Sequence, residues 1–137
     1  MWAQIKGWFS KRRGGAALDD GEWGERCAAD FLRANGLQVV ARNWRNPKDR
    51  REEIDLVCRD GDIVVFVEVK TRAADALVPG YFAVNRRKRK VLLRACRAYL
   101  AALRRKPRTH RFDVVEVNTR GRTPPEILHF ENVPLFP

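Results

Sequence analysis

The sequence predicts an α/β domain, a mixed β-sheet flanked by helices in the order α-β-β-β-α-β-β. Three observations predict it. Hydrophobic residues make up 45% of 137, enough for a single core of ordinary domain size. Two segments carry apolar residues at helical spacing. The stretches between and after them are rich in Val and Ile and are punctuated by turn residues.

Residues 1–18 are read as an N-terminal extension and 19–137 as the domain, with Gly14-Gly15 between them. The opening MWAQIKGWFSKRRGG is too polar and interrupted to be a secretory signal. It is expected to be frayed, or else a short amphipathic helix with Trp2, Ile5 and Phe9 on one side. Asp19 or Asp20 can cap a first helix reaching about Asn35, with Gly36 as its C′ residue. LQVVARNW reads as a strand, and Asn46-Pro47-Lys48-Asp49 as a turn. Two strands follow, Glu52–Arg59 and Asp62–Thr71, joined at Asp60-Gly61, a type I′ hairpin signal. The run IVVFVEV is apolar on both faces, as suits a central strand covered on both sides. Ala73–Phe82 is a loop. Asn85 can cap a second helix, about Arg86–Arg105, with a stripe of Leu92, Cys96, Tyr99 and Leu103. Arg111–Asn118 is a strand, Gly121–Pro125 a turn and Glu126–Asn132 the last strand.

Charge is unevenly placed. The net charge is +11, yet Ala76–Phe112 holds twelve Lys or Arg and no acid, leaving the rest of the chain near −1. Like charges crowded in this way repel one another unless a polyanion is present, which makes nucleic acid the expected partner. The competing reading is a solvated basic helix. A membrane surface is disfavoured, because the run lacks exposed bulky apolar residues at its head. No stretch reaches the length of a membrane span. Cys27, Cys58 and Cys96 sit in apolar stretches without metal-ligand spacing, and read as reduced core residues of a cytoplasmic protein. His110 and His129 read as strand-end or surface residues.

One conflict with the hydrophobic pattern carries the chemistry. Glu68 and Lys70 interrupt a strand that otherwise looks buried, where ionised groups are costly unless paired or metal-bound. If Asp60-Gly61 is the loop, Asp55 lies opposite Phe66 and Glu53 opposite Glu68. Asp55, Glu68 and Lys70 then share a face, with Asp55 and Glu68 as diagonal neighbours. A four-residue loop would keep that face and set Asp55 directly opposite Glu68. Two hard carboxylates suit Mg²⁺ or Mn²⁺. Lys70 can orient a water or neutralise charge developing on a phosphate. The bland alternative is an ion-pair network on a solvated edge strand. Glu25 lies at the border of the first helix's apolar stripe and can look toward the sheet. Lys88, one turn before Leu92, can point inward toward a phosphate. Arg87, Arg89, Lys90, Arg94 and Arg97 lie largely off the apolar stripe and can face a nucleic-acid backbone.

These residues resemble the PD-(D/E)xK nuclease superfamily, with Asp55 on one strand and Glu68-Val69-Lys70 on the next. The wider chain resembles the bacterial YraN-type family, related to Holliday-junction resolvases. The pieces are GEWGERCAADFL, GLQVVARNW, EIDLV, VFVEVKTR, AVN followed by Lys88, and RFDVVEV. The resemblance implies a restriction-endonuclease-like, resolvase-like core. It places Asp55 and Glu68 at metal positions, Lys70 at a catalytic position and Glu25 at the catalytic helix glutamate of the resolvase branch. Arg42, Asn43 and Arg72 fall in family motifs and are assigned to nucleic-acid contact. Two departures stand out. Glu52 replaces a glycine before E-I-D, and an F-G element is missing from Ala73–Phe82.

The leading expectation is therefore a Mg²⁺- or Mn²⁺-dependent endonuclease hydrolysing DNA phosphodiester bonds, on branched, recombination or single-stranded substrates. It would work as a homodimer or with a recombination partner. The runner-up is a nucleic-acid-binding module on a nuclease fold, catalytically silent without a partner. RNA binding ranks third, because no aromatic-rich RNA-reading motif is present.

Overall fold

The computed structural model describes residues 2–6, 20–72, 86–118 and 124–135, with the backbone only for 2–6 and Asp20. The described residues form β1 (Trp2–Lys6), α1 (Asp20–Ala34), β2 (Gln38–Asn46), β3 (Asp49–Asp60), β4 (Ile63–Arg72), α2 (Arg86–Ala102), β5 (Thr109–Asn118) and β6 (Glu126–Phe130). The strands build one sheet in the order β1-β6-β5-β4-β3-β2. β4 and β5 are parallel, joined across α2, and every other neighbouring pair is antiparallel.

A helix lies on each face. α1 buries Cys27, Ala28, Phe31 and Leu32 against Leu56, Cys58, Val65, Val67, Val115 and Val117. α2 buries Leu92, Ala95 and Cys96 against Val57, Val64, Phe66, Phe112 and Val114. β4 alternates strictly between these cores, with Val65 and Val67 toward α1 and Val64 and Phe66 toward α2. Its uninterrupted apolar run follows from that double covering. α1 comes close to the sheet at Gly24: a Cβ there would collide with the Thr71 side chain of β4.

α1 ends as its sequence predicts. Gly36 takes a φ of 90°, Leu37 N–H donates to Leu32 O at 3.0 Å and Gly36 N–H to Arg33 O at 3.0 Å. This is a Schellman cap, with Leu37 buried as its hydrophobic partner. α2 stops at Ala102, three residues short of the expected Arg105. The Lys106 ammonium folds back on the carbonyls of Leu100, Ala101 and Leu103 at 2.8–3.3 Å and satisfies them in place of another helical turn. Asn85, the 73–82 loop and most of the turn expected at 121–125 lie outside the described residues.

Three expectations need correction. The opening segment is not helical over residues 2–6, which add an antiparallel edge strand to β6, Trp2 opposite Phe130 through Lys6 opposite Glu126. The β3–β4 hairpin turns at Gly61-Asp62, with Asp60 paired to Ile63. Gly61, at the first loop position, carries the positive φ of 60°, which is the type II′ requirement rather than the type I′ one. The shift moves the register by two residues, so no side chain of the paired stretch changes face. His129 is no surface residue: it is 3% exposed, with Nε2 2.8 Å from Asp113 Oδ2.

Asp113, fully buried, also accepts from the Arg111 guanidinium at 3.1 Å and the Asn132 N–H at 2.9 Å. Burial alone would raise its carboxyl, but these donors hold it below the ordinary range. Arg111 therefore leaves the basic surface to which its sequence position assigned it. Asn132, at a φ of 54°, turns the chain back after β6 to make that contact.

Candidate functional site

The α2 face of the sheet carries the charged residues that interrupt the strands. Glu68 and Lys70 follow Val64 and Phe66 on the α2 side of β4. The β3–β4 ladder ends at Leu56 opposite Val67. Asp55 is the next residue beyond that pair, and its Oδ2 accepts the Val69 N–H at 2.8 Å. A carboxylate thus takes a backbone donor just beyond the last ladder pair. The expected approach of Asp55, Glu68 and Lys70 is present: the Asp55 and Glu68 carboxyls interact, and Lys70 stands beside Glu68.

Glu68 is 4% exposed on the central strand β4, which rules out the solvated edge network as an account of it. Its Oε1 lies 2.6 Å from Lys88 Nζ of α2 and 3.6 Å from Lys70 Nζ. Lys88 therefore points inward, as its place on the helix suggested, but onto a carboxylate. Burial pushes the Asp55 carboxyl up to about 8, and the adjacent Glu68 charge adds to the shift. The Val69 N–H opposes it, and Glu25 contributes a smaller push upward. Lys70 is pushed down by burial and by the Lys88 ammonium beside it, with Glu68 acting the other way. For Lys88 burial also lowers, but the bond to Glu68 outweighs it and the group is raised.

Glu25 is half-buried on α1 and lines a polar cleft of about 760 Å³ with Arg42, Asn43, Arg45, Arg50 and Glu53. Asn43 has a φ of 48°, a left-handed conformation that Asn tolerates better than most residues. Arg42 and Asn43 thus lie in a cleft with Glu25, whose charge reaches Asp55. Arg45 is paired with Glu53 at 3.3 Å. Glu52, the departure from the family glycine, is buried and accepts from Asn46 Nδ2 at 2.9 Å. Asn46 Oδ1 in turn accepts from Lys48 N–H at 3.0 Å, so Glu52 braces the β2–β3 turn.

The assigned nucleic-acid contacts divide into two groups. Arg87, Arg89, Lys90, Arg94 and Arg97 are exposed along α2, away from the buried Leu92, Ala95 and Cys96. Arg72 is instead 3.4 Å from Glu116, a carboxylate that is 3% exposed on β5. Glu116 stands beside Lys70 in the parallel ladder and escaped the sequence reading. Its signal was present: it breaks the apolar run of DVVEV as Glu68 breaks VFVEV. Asn118 lies two residues further on, and its Oδ1 is buried without a hydrogen-bond donor among the described residues. Cys27, Cys58 and Cys96 are buried free thiols, as expected, and burial pushes Cys58 up to about 12. No helix among the described residues is long and apolar enough to cross a membrane.

Among the described residues no group of three or more His, Cys, Asp or Glu is placed to hold a metal ion. The site offers two carboxylates, Asp55 and Glu68. That set suits Mg²⁺, which commonly binds through one or two carboxylates and fills its remaining positions with water and phosphate oxygens.

Fold and site together define an α/β protein with a buried acid–lysine cluster on one sheet face, beside a basic helix. Residues 24–117 match the model of a family described as "Uncharacterised protein family UPF0102". The chain belongs to the UPF0102 family. It is 47% identical over 103 residues to a UPF0102 protein of Nitratidesulfovibrio vulgaris (strain DP4), covering 75% of each chain. It is also 47% identical over 97 residues to one of Symbiobacterium thermophilum, covering 71% of this chain and 80% of that one. With a relative from Chlorobaculum tepidum it shares 43% over 97 residues, covering 71% and 73%.

Proposed function

We propose that this chain is a divalent-metal-dependent endonuclease acting on DNA, built on a restriction-endonuclease-like core. The carrying observation is the cluster itself: Asp55 beside Glu68, with Lys70 and Lys88 at Glu68 Oε1, in a buried part of the sheet. Charges placed there are costly, and a bound cation and phosphate would offset that cost. Asp55 and Glu68 are the residues that would hold Mg²⁺ or Mn²⁺. When bound, such an ion supplies a Lewis acid to the phosphate and acidifies a water.

Each residue has a separable task. Asp55 would hold the ion as a carboxylate, with the Val69 N–H fixing one oxygen. The Lys70 ammonium, with its pKa lowered, can orient the attacking water and then neutralise charge on the phosphate. Glu25, whose charge reaches Asp55, faces the cleft by which a flanking strand could enter. The exposed cations of α2 bind the phosphate backbone. The three buried thiols fit a reducing cytoplasm.

The direct test is cleavage of linear, single-stranded and four-way DNA with Mn²⁺, Mg²⁺ or a chelator. Metal-dependent hydrolysis of at least one substrate is expected, with preference for the branched form. Binding without cleavage of any substrate in either metal would contradict it. One observation favours that second reading, a silent binding module. Lys88 holds the oxygen that a metal would need.

A further inference from the structure

We infer that Lys88 is a built-in counter-ion which competes with the metal for Glu68, so that metal and polyphosphate enter the site together. The inference rests on the metal-binding reading of Asp55 and Glu68 and specifies how that site is kept quiet.

Glu68 is 4% exposed, and a carboxylate at that depth needs a counter-charge. Lys88 Nζ lies 2.6 Å from Oε1, the distance of a strong charge-assisted hydrogen bond. Lys70 Nζ stands 3.6 Å from the same oxygen. A divalent ion on Oε1 would sit within a few ångströms of that ammonium. Two such charges cannot share one oxygen without strong repulsion.

The two lysines differ in how readily they can leave. Lys70 shares β4 with Glu68, and its side chain is 21% exposed. Lys88 comes from α2, and its side chain is 44% exposed. It can swing toward solvent while the strand stays fixed.

What draws Lys88 away is written into the same helix turn. Arg86, Arg87, Lys88, Arg89 and Lys90 are consecutive cations at the start of α2, and the first turn holds no acid. The helix dipole disfavours cations there and favours anions. A phosphate backbone reaching this turn relieves both the dipole and the mutual repulsion of the five charges. It also offers the Lys88 ammonium a new partner. Oε1 then becomes free to take the metal. Because coupling is reciprocal, bound metal must raise affinity for the polyanion by the factor that the polyanion raises affinity for the metal.

The test measures Mn²⁺ affinity of the full chain from the electron paramagnetic resonance of free Mn²⁺. It is run with and without a hydrolysis-resistant phosphorothioate duplex, each read against duplex alone. Wild type should bind Mn²⁺ about tenfold tighter with the duplex than without it. Lys88→Met should bind Mn²⁺ without duplex about tenfold tighter than wild type, and gain little more from the duplex. Lys88→Arg keeps the charge and should behave as wild type. Unchanged or weaker Mn²⁺ binding by Lys88→Met, with wild type still binding, would overturn the competition alone. Absence of Mn²⁺ binding in wild type and Lys88→Met under both conditions would remove the metal reading, and this inference with it.

Discussion

Lys70→Ala is expected to lower DNA cleavage by roughly 10²–10³-fold while leaving DNA affinity within about threefold of wild type. Its charge is one among many for binding, since Arg87, Arg89, Lys90, Arg94 and Arg97 stand exposed along α2. At the reacting phosphate it is singular, because it shares a strand and a sheet face with Glu68. Replacing two or three of the helix cations should do the opposite. Binding should weaken on every sequence, and the dependence of log affinity on log salt should flatten by roughly 0.9 for each phosphate no longer neutralised. Single-turnover cleavage and salt-titrated binding separate the two effects. If Lys70→Ala weakened binding as severely as the helix variants, Lys70 would belong to a binding patch and the silent module would be the better account.

Asp113→Ala should cost about 3 kcal/mol or more of stability, read as a lower midpoint in urea unfolding. The carboxylate is fully buried and accepts from Arg111, His129 and the Asn132 N–H. Its removal leaves a guanidinium that is only 17% exposed without its nearest carboxylate, and Asp60, at 3.5 Å, compensates weakly. His129→Ala should cost less, because it leaves Asp113 paired with Arg111. A loss below about 1 kcal/mol for Asp113→Ala would mean that the network contributes no more than a surface ion pair.

Local patterning made much of the fold legible in the sequence. The two-sided apolar run of β4, the stripe of α2 and the Gly36 cap each depend on residues a few positions apart. The nearness of Asp55 to Glu68 survived an error in the turn, because a shift of two residues preserves side-chain parity along the paired strands. What stayed hidden depends on contacts between distant segments. Pairing of residues 2–6 with β6 joins segments as distant in the chain as Trp2 and Phe130, and the short WAQIK sequence by itself signals no strand. His129 looked superficial because the partner that buries it lies 16 residues away on another strand. Lys88 could be placed on the inner side of α2, but only the packing of α2 on the sheet showed which charge it meets. Glu116 was legible and missed, since it interrupts an apolar strand as Glu68 does.

The central claim is that Asp55 and Glu68 form one cation site, and thermal unfolding with Mn²⁺ tests it most directly. Without metal, folded Asp55 holds its proton up to about 8, whereas the unfolded chain releases it near 3.8. The folded state therefore binds more protons between those values, and metal-free stability should fall as pH rises across that window. Mn²⁺ must displace the same proton, so its stabilising shift should be larger at pH 8 than at pH 6. Wild type is predicted to gain a saturable rise in melting temperature with that pH dependence, and Asp55→Asn to lose most of it. An equal rise in Asp55→Asn, or none in wild type at either pH, would contradict the account.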